Sequence, residues 1–163
     1  MTEWRALSDT EIVELAIRLR SLEWSRKLED APEVVTGFGW KLNNTLPEGV
    51  FFDTGFGRST GQMIGLDGSV HHISAQVTAY AAKDPKQGGQ VIDAFARMTA
   101  ALTRALGAPT ARIPGDSPEI RWAGTETTLL LKALPPAVNL ELLTNAALEQ
   151  HDEAVRIEKQ GLL

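Results

Sequence analysis

Apolar residues near the start of the chain recur every three or four positions, which is the spacing of one face of an α-helix. They are Ile12, Leu15, Ala16, Leu19 and Leu22. Ser8 and Glu11 precede this stripe at capping-box spacing, in which each side chain caps the backbone N–H of the other residue. The pattern predicts a helix that begins at Asp9 and buries one face.

The helical spacing of apolar residues ends before Pro32, and the residues that follow are mainly β-branched residues, glycines and turn residues. The segment 34–40 is predicted to be a short strand. Turns are expected at Asn43-Asn44, at Pro47-Glu48-Gly49 and, as a tight hairpin, at Asp67-Gly68. Further strands are predicted at 50–53, 62–66 and 69–81.

A second helical stripe follows Asp84 and Pro85, which supply a cap and a first helical position. Its apolar residues are Val91, Phe95, Met98, Leu102 and Leu106. Gly107 provides a stop, and a loop is expected at 108–118. Three strands, separated by Gly124-Thr125 and Pro135-Pro136, are then predicted at 119–123, 127–134 and 137–143. A last helix is predicted from Thr144 or Asn145 to about residue 160, with the apolar residues Leu148, Val155 and Ile157.

The predicted order is helix, strands, helix, three strands, helix. Parallel sheets need crossover helices between successive strands, and this order has none of the required alternation. We therefore predict an α+β fold in which helices cover a curved antiparallel sheet. The length suits one domain at 1–163, and no internal repeat of fixed period is visible.

The composition removes several classes of protein. The 163 residues include no Cys, which excludes disulfides, thiolate metal sites, iron–sulfur clusters and a cysteine nucleophile. The start of the chain is acidic where a signal peptide needs basic residues, and no run approaches the roughly 20 apolar residues of a membrane helix. We expect a soluble, cytoplasmic protein, either a monomer or a weak homodimer.

The net charge of −5 is concentrated at the two ends of the chain. Residues 1–40 carry five basic and eight acidic side chains, residues 41–136 nine and eight, and residues 137–163 two and five. Because no basic cluster is present, direct binding of nucleic acid is not expected. Acidic ends favour a basic protein partner. The candidate contacts are Glu11, Glu14, Glu149, Asp152 and Glu153, with Arg58 at a glycine-rich tip.

No group of residues has the spacing of a catalytic or metal site. His71 and His72 are adjacent in a predicted strand and leave opposite faces, and His151 has no second His one turn away. The glycine-rich stretch 54–61 lacks the features of a phosphate loop and is interpreted as a bend in the sheet. We therefore expect no enzyme activity, no cofactor and no metal.

One alternative is a small-molecule-binding protein or an enzyme with an unrecognised site. Its pocket would lie on the concave sheet near Trp40, Phe51, Phe52 and Trp122. Core packing is the more common role of Trp in strands, and it is our first interpretation of Trp40 and Trp122.

Several segments together resemble an actinobacterial family of small proteins of unknown function. They are EWRALSDTEIVELAIRLRSLEW, GFGW, the TGFG turn, the second helix and the strands IRW, TTLLL and VNLELL. Small, acidic, Cys-free α+β proteins of this kind also resemble the immunity proteins of bacterial polymorphic toxins. The resemblance implies a protein that binds and neutralises a cognate, basic toxin domain. A secretion chaperone for an exported partner is the second interpretation of the same features.

Overall fold

The computed structural model describes residues 4–82, 84–134 and 136–161. Its centre is one eight-stranded antiparallel sheet in the order β1-β2-β3-β4-β8-β7-β6-β5. The strands are β1 (Lys41–Leu46), β2 (Gly49–Asp53), β3 (Gly61–Leu66), β4 (Ser69–Gln76), β5 (Ala111–Ile113), β6 (Glu119–Ala123), β7 (Thr127–Leu134) and β8 (Ala137–Thr144). The fold is α+β, as predicted.

Within the described ranges, four α-helices and one 3₁₀ turn accompany the sheet. They are α1 (Asp9–Arg20), the 3₁₀ turn Leu28–Asp30, α2 (Ala31–Gly37), α3 (Pro85–Leu106) and α4 (Asn145–Lys159). The capping box of Ser8 and Glu11 is present at the start of α1, and Asp84 and Thr144 cap α3 and α4 with their side chains. Three helices therefore begin at the capping residues that the sequence predicted.

The sheet consists of two meanders that share a pattern. In each half, a helix precedes four consecutive strands, the first strand lies at the outer edge, and the last strand lies at the centre. The halves join where β4 pairs with β8, and α1 and α3 pack against each other. This symmetry has no fixed sequence period, since α2 is inserted only in the first half.

The main core lies between the sheet and the pair α1 and α3. Every second residue of the central strands points to this side, as a pleated strand requires. The largest fully buried side chains are Phe52, Ile12, Leu19, Met63, Met98, Leu102, Leu129, Leu131, Leu140, Val35, Val50 and Val77. The helix α4 is on the other side of the sheet, where it forms a small separate cluster with β7 and β8.

The predicted strand at 34–40 is wrong, because the segment is mostly the helix α2. Its β-branched residues favour a strand, but Pro32 at the start of α2 has the backbone angle of a first helical turn. Val35 is buried in the core, and Gly39 adopts a φ of +79°, which ends the turn that follows the helix. Tertiary packing overrides the local strand preference.

The turn predicted at Asn43-Asn44 is also wrong, since both residues lie in the edge strand β1. The register between β1 and β2 shifts between Leu42 and Asn44, and the Asn43 side chain accepts a hydrogen bond from the Ser59 backbone N–H. The asparagine pair that predicted a turn therefore lies at a β-bulge of the edge strand β1. The short edge strand β5 lies inside the segment predicted as loop.

The remaining strands agree with the prediction within a residue or two, except that β4 ends at Gln76 and not at 81. The hairpin turn at Asp67 and Gly68 has the two positive φ angles that this residue pair tolerates. Of the predicted turn between β7 and β8, Pro135 lies outside the described residues. None of the described helices combines the length and the apolar character that crossing a bilayer requires.

Candidate functional site

The largest cavity that we identify is an open apolar cleft of about 890 Å³ beside the first half of α3. Its other walls are the segment before α3, the loop before β6, and the ends of β7 and β8. It is lined by Ala81, Ala82, Pro85, Gly88, Gly89, Val91, Ile92, Phe95, Gly115, Asp116, Pro118, Ala133 and Pro136. We refer to this surface as the α3 cleft.

Two adjacent glycines in α3 keep the α3 cleft open. A Cβ atom added at Gly88 or Gly89 would meet no atom within 4 Å. Glycine in a helix interior is less favourable than alanine by roughly 0.5–1 kcal/mol. Each of the two glycines therefore lowers the stability of α3 where the helix lines the cleft. Ile92 lies on the same wall with 68% of its surface exposed, outside the stripe that α3 buries.

The lining of the α3 cleft is almost entirely apolar. Asp116 is the one ionisable residue among the described residues that line it. The α3 cleft is therefore suited to binding an apolar surface.

We expect Gly88→Ala and Gly89→Ala to stabilise the free protein by about 0.5–1 kcal/mol each. The reason is that alanine restricts the unfolded chain and meets no clash at either position. Urea unfolding followed by circular dichroism measures the effect. Destabilisation by either substitution would contradict the open space described for that position.

A second group of polar residues lies on the side of the sheet that faces α4. Neighbouring strands place Arg121 opposite Leu130, and Leu130 opposite Glu141. The group comprises His72, Ser74, Glu119, Arg121, Lys132 and Glu141, and Ser74, Glu119 and Glu141 are buried. We refer to these residues, with Leu130 and Leu143, as the α4-side face.

Ion pairs connect the α4-side face to α4. The Arg121 guanidinium donates to both oxygens of Asp152, at 2.7 and 2.8 Å, and also to Glu119. The hydrogen bond from Arg121 lowers the pKa of Asp152, and the Asp152 carboxylate in turn raises the pKa of Arg121. A bidentate contact of this kind fixes both position and orientation.

The three histidines line one small cavity of about 210 Å³ between α4 and the sheet. Nε2 of His72 lies 2.7 Å from Oε1 of Glu141, whereas Nδ1 of His71 is buried without a hydrogen-bond partner. His151 lines the same cavity from α4, whereas His71 and His72 line it from β4. Among the described residues, no three His, Asp or Glu side chains are arranged to hold a metal ion.

The structure places the predicted partner contacts on opposite sides of the sheet. Glu11 and Glu14 are exposed on α1, and Glu149 is exposed on α4. Arg58 is exposed in the loop between β2 and β3. A single flat partner surface cannot contact α1 and α4 at once, so the acidic residues form two separate patches.

Several of these side chains already have partners within the chain. Glu11 accepts from the Ser8 backbone N–H in the capping box, and Glu153 pairs with Arg156 on α4. Asp152 pairs with Arg121. Glu14 and Glu149 take part in none of the ion pairs of the described residues, so their charges are the more available ones on each helix.

The aromatic residues of the alternative pocket do not surround one cavity. Trp40 stacks between Phe38 and Phe52, at centroid distances of 4.5 and 4.8 Å. Trp122 is buried and donates its indole N–H to the Gly107 carbonyl. Phe51 alternates with Phe52 along β2 and so faces the other side of the sheet. Trp40 and Trp122 pack on the core side, as interpreted from the sequence.

The α3 cleft was not predicted from the sequence. One signal was available, namely the Gly88-Gly89 pair inside an otherwise regular helical stripe. The other walls come from segments far apart in sequence, and only the folded chain brings them together.

Comparison with known proteins adds one finding. The model of a family of unknown function, DUF6301, matches residues 10–144. The chain belongs to the DUF6301 family. The DUF6301 match spans α1 to β8 and ends at Thr144, the cap of α4. No curated protein and no solved structure shows a significant match. The expected family of unknown function is thereby confirmed, whereas its actinobacterial source and the likeness to immunity proteins stay predictions.

Proposed function

We propose that this chain is a non-enzymatic protein-binding domain whose α3 cleft receives the apolar face of a helical segment of a partner. The observation that carries the proposal is an open cleft of about 890 Å³ whose described lining residues are apolar apart from Asp116. Amphipathic helices bind in apolar grooves through a few side chains spaced by three or four residues.

The polarity of the α3 cleft favours a protein segment over a small molecule. The volume of the cleft does not distinguish a protein segment from a small molecule, because ligand pockets span about 300–1,000 Å³. Small-molecule sites, however, combine an apolar lining with several convergent polar groups that orient the ligand. Among the described residues that line the α3 cleft, Asp116 is the only one suited to that purpose, whereas Gly88 and Gly89 allow a partner backbone to approach closely.

Two roles in the protein-binding class fit the molecule. Neutralisation of a basic toxin domain, as by an immunity protein, is supported by the net charge of −5 and by the exposed Glu14 and Glu149. Escort of an exported partner, as by a secretion chaperone, is supported by the α3 cleft, which would shield an apolar segment. Charge dependence separates them, because a toxin interface weakens with salt and a buried apolar segment responds little.

We expect Ile92→Glu to weaken binding of the partner at least tenfold, since it places a charge where the partner's apolar side chains are buried. The experiment co-expresses the chain with the product of the adjacent gene and measures affinity by calorimetry. Leu66→Glu is the matched control, because Leu66 is 66% exposed and lies at the end of β3, outside the lining of the α3 cleft. Equal binding by both variants would overturn the placement of the site.

The same complex distinguishes the two roles. In the immunity role, Glu14→Lys or Glu149→Lys weakens binding and the salt dependence of the affinity is reduced. In the escort role, both charge reversals leave the affinity unchanged and only Ile92→Glu acts. If an apolar metabolite instead raises the melting temperature of the wild type but not of Gly89→Leu, the α3 cleft is a small-molecule site and the protein-binding proposal fails.

A further inference from the structure

The contact between α4 and the sheet is slight for a helix of 15 residues. Leu148 is the one buried residue of α4, and it forms a cluster with Leu130 and Leu143. By comparison, α3 buries five residues in the main core. An α4 held by one buried side chain can separate from the sheet without opening the main core.

The polar contacts of α4 lie in its first half. Asp152 accepts the bidentate hydrogen bonds of Arg121, and Asn145 donates to the carbonyls of Gly124 and Thr125. The later ion pair of Glu153 with Arg156 lies within α4. Apart from its capped start, α4 is therefore attached at two points, Leu148 and Asp152.

These two attachment points match two adjacent subsites of the α4-side face. Leu148 and Asp152 are four residues apart and so lie on the same face of the helix. Leu130 and Arg121 are direct cross-strand neighbours on β7 and β6. The face thus recognises an apolar side chain followed one helical turn later by a carboxylate.

The α4-side face is also incompletely filled. A cavity of about 210 Å³ remains between α4 and the sheet, next to Glu119, Lys132 and Glu141. In addition, the family match ends at Thr144, so the sheet that carries the face lies within the matched region and α4 follows it. The family match therefore includes the α4-side face and ends where α4 begins.

We propose that α4 is a displaceable cover, and that the α4-side face is a second interaction surface for an acidic amphipathic helix with α4's own pattern. That pattern is a leucine-like residue with Asp or Glu four positions later. The carboxylate replaces Asp152 on Arg121, and the apolar side chain replaces Leu148 between Leu130 and Leu143. The inference does not depend on the α3 cleft.

Competition between the tethered α4 and a free helix supplies the test. A tethered segment acts at an effective concentration in the millimolar range, so a free helix of the same sequence binds the wild-type chain weakly. A substitution that weakens the attachment of α4 to the sheet reduces that competition and leaves the α4-side face itself unchanged. The probe is a fluorescently labelled synthetic peptide of residues 144–160, titrated into the full chain by anisotropy.

We expect the chain carrying Asp152→Asn to bind this peptide about tenfold more tightly than the wild-type chain does. Glu153→Gln in the chain is the matched control and leaves the affinity unchanged, because Glu153 contacts only Arg156 of its own helix. A peptide carrying Asp152→Asn is expected to bind the Asp152→Asn chain at least tenfold more weakly than the parent peptide. Because this last change is in the peptide, it cannot affect folding of the chain.

Hydrogen exchange provides a second measurement on the unmodified chain. Backbone amides of α4 are expected to exchange faster than those of α1 and α3, and Asp152→Asn to accelerate exchange in α4 alone. The proposal is overturned if α4 is as protected as α3. It is likewise overturned if Asp152→Asn and Glu153→Gln give the same peptide affinity.

Discussion

Gly61→Ala is expected to destabilise the fold by about 3 kcal/mol, the largest effect of any single methyl group that we anticipate in this chain. A Cβ atom at Gly61 would overlap the Phe52 ring and would lie 2.7 Å from Cγ2 of Thr54. The Phe52 ring is fully buried and stacked on Trp40 at 4.8 Å, so it has no free space to move into. Urea unfolding measures the change in the free energy of unfolding.

Gly88→Ala is the matched control for Gly61→Ala, because the same methyl group there meets no atom within 4 Å. The two substitutions are expected to change stability in opposite directions. Adding Phe52→Leu to Gly61→Ala should cost less than the two single effects together, since the smaller side chain makes room for the new Cβ atom. Additive effects would show that the Phe52 ring is not the obstacle.

Arg121→Met is expected to destabilise the protein by about 3 kcal/mol. The substitution leaves Glu119 buried, with its nearest remaining cation, the Lys132 ammonium, 3.9 Å away. It also removes the bidentate partner of Asp152 on α4. Differential scanning calorimetry and urea unfolding measure the loss, and hydrogen exchange reports whether α4 separates at the same time.

The control for Arg121→Met is Arg112→Met, the same substitution at an exposed residue of the edge strand β5. Its effect is expected to stay within about 0.5 kcal/mol. Adding Glu119→Leu to Arg121→Met should recover part of the stability, because the buried carboxylate is then removed together with its partner. If Arg121→Met alone costs no more than Arg112→Met, the ion-pair network does not contribute to stability.

The parts of the fold that were predicted correctly have local causes. The capping box of Ser8 and Glu11, the Asp84 cap and the Thr144 cap each depend on residues within three positions of one another. The hairpin turn at Asp67-Gly68 likewise depends on two backbone angles. Such features are encoded in short segments and persist in any tertiary context that accommodates them.

The errors occur where tertiary contacts oppose local preference. Val34 and Val35 favour a strand by residue type, but α2 buries Val35 against the core while Pro32 favours the first helical turn. Asn43 and Asn44 favour a turn, but the outer edge of the sheet accepts them as a bulge. In both cases the deciding contact is with a residue distant in sequence.

The sequence predicts the α+β class, the three capped helices, the antiparallel character and approximate bounds of most strands, and the acidity of the two ends, because periodicity, caps, turns and charge are local properties. Only the tertiary structure decided that α1 and α4 lie on opposite sides of the sheet, so that the acidic ends form two patches. It also decided that an apolar cleft of about 890 Å³ borders Gly88 and Gly89, and that Asp152 is held by Arg121. Those features depend on which strands become neighbours, and strand order is set by packing across the whole chain.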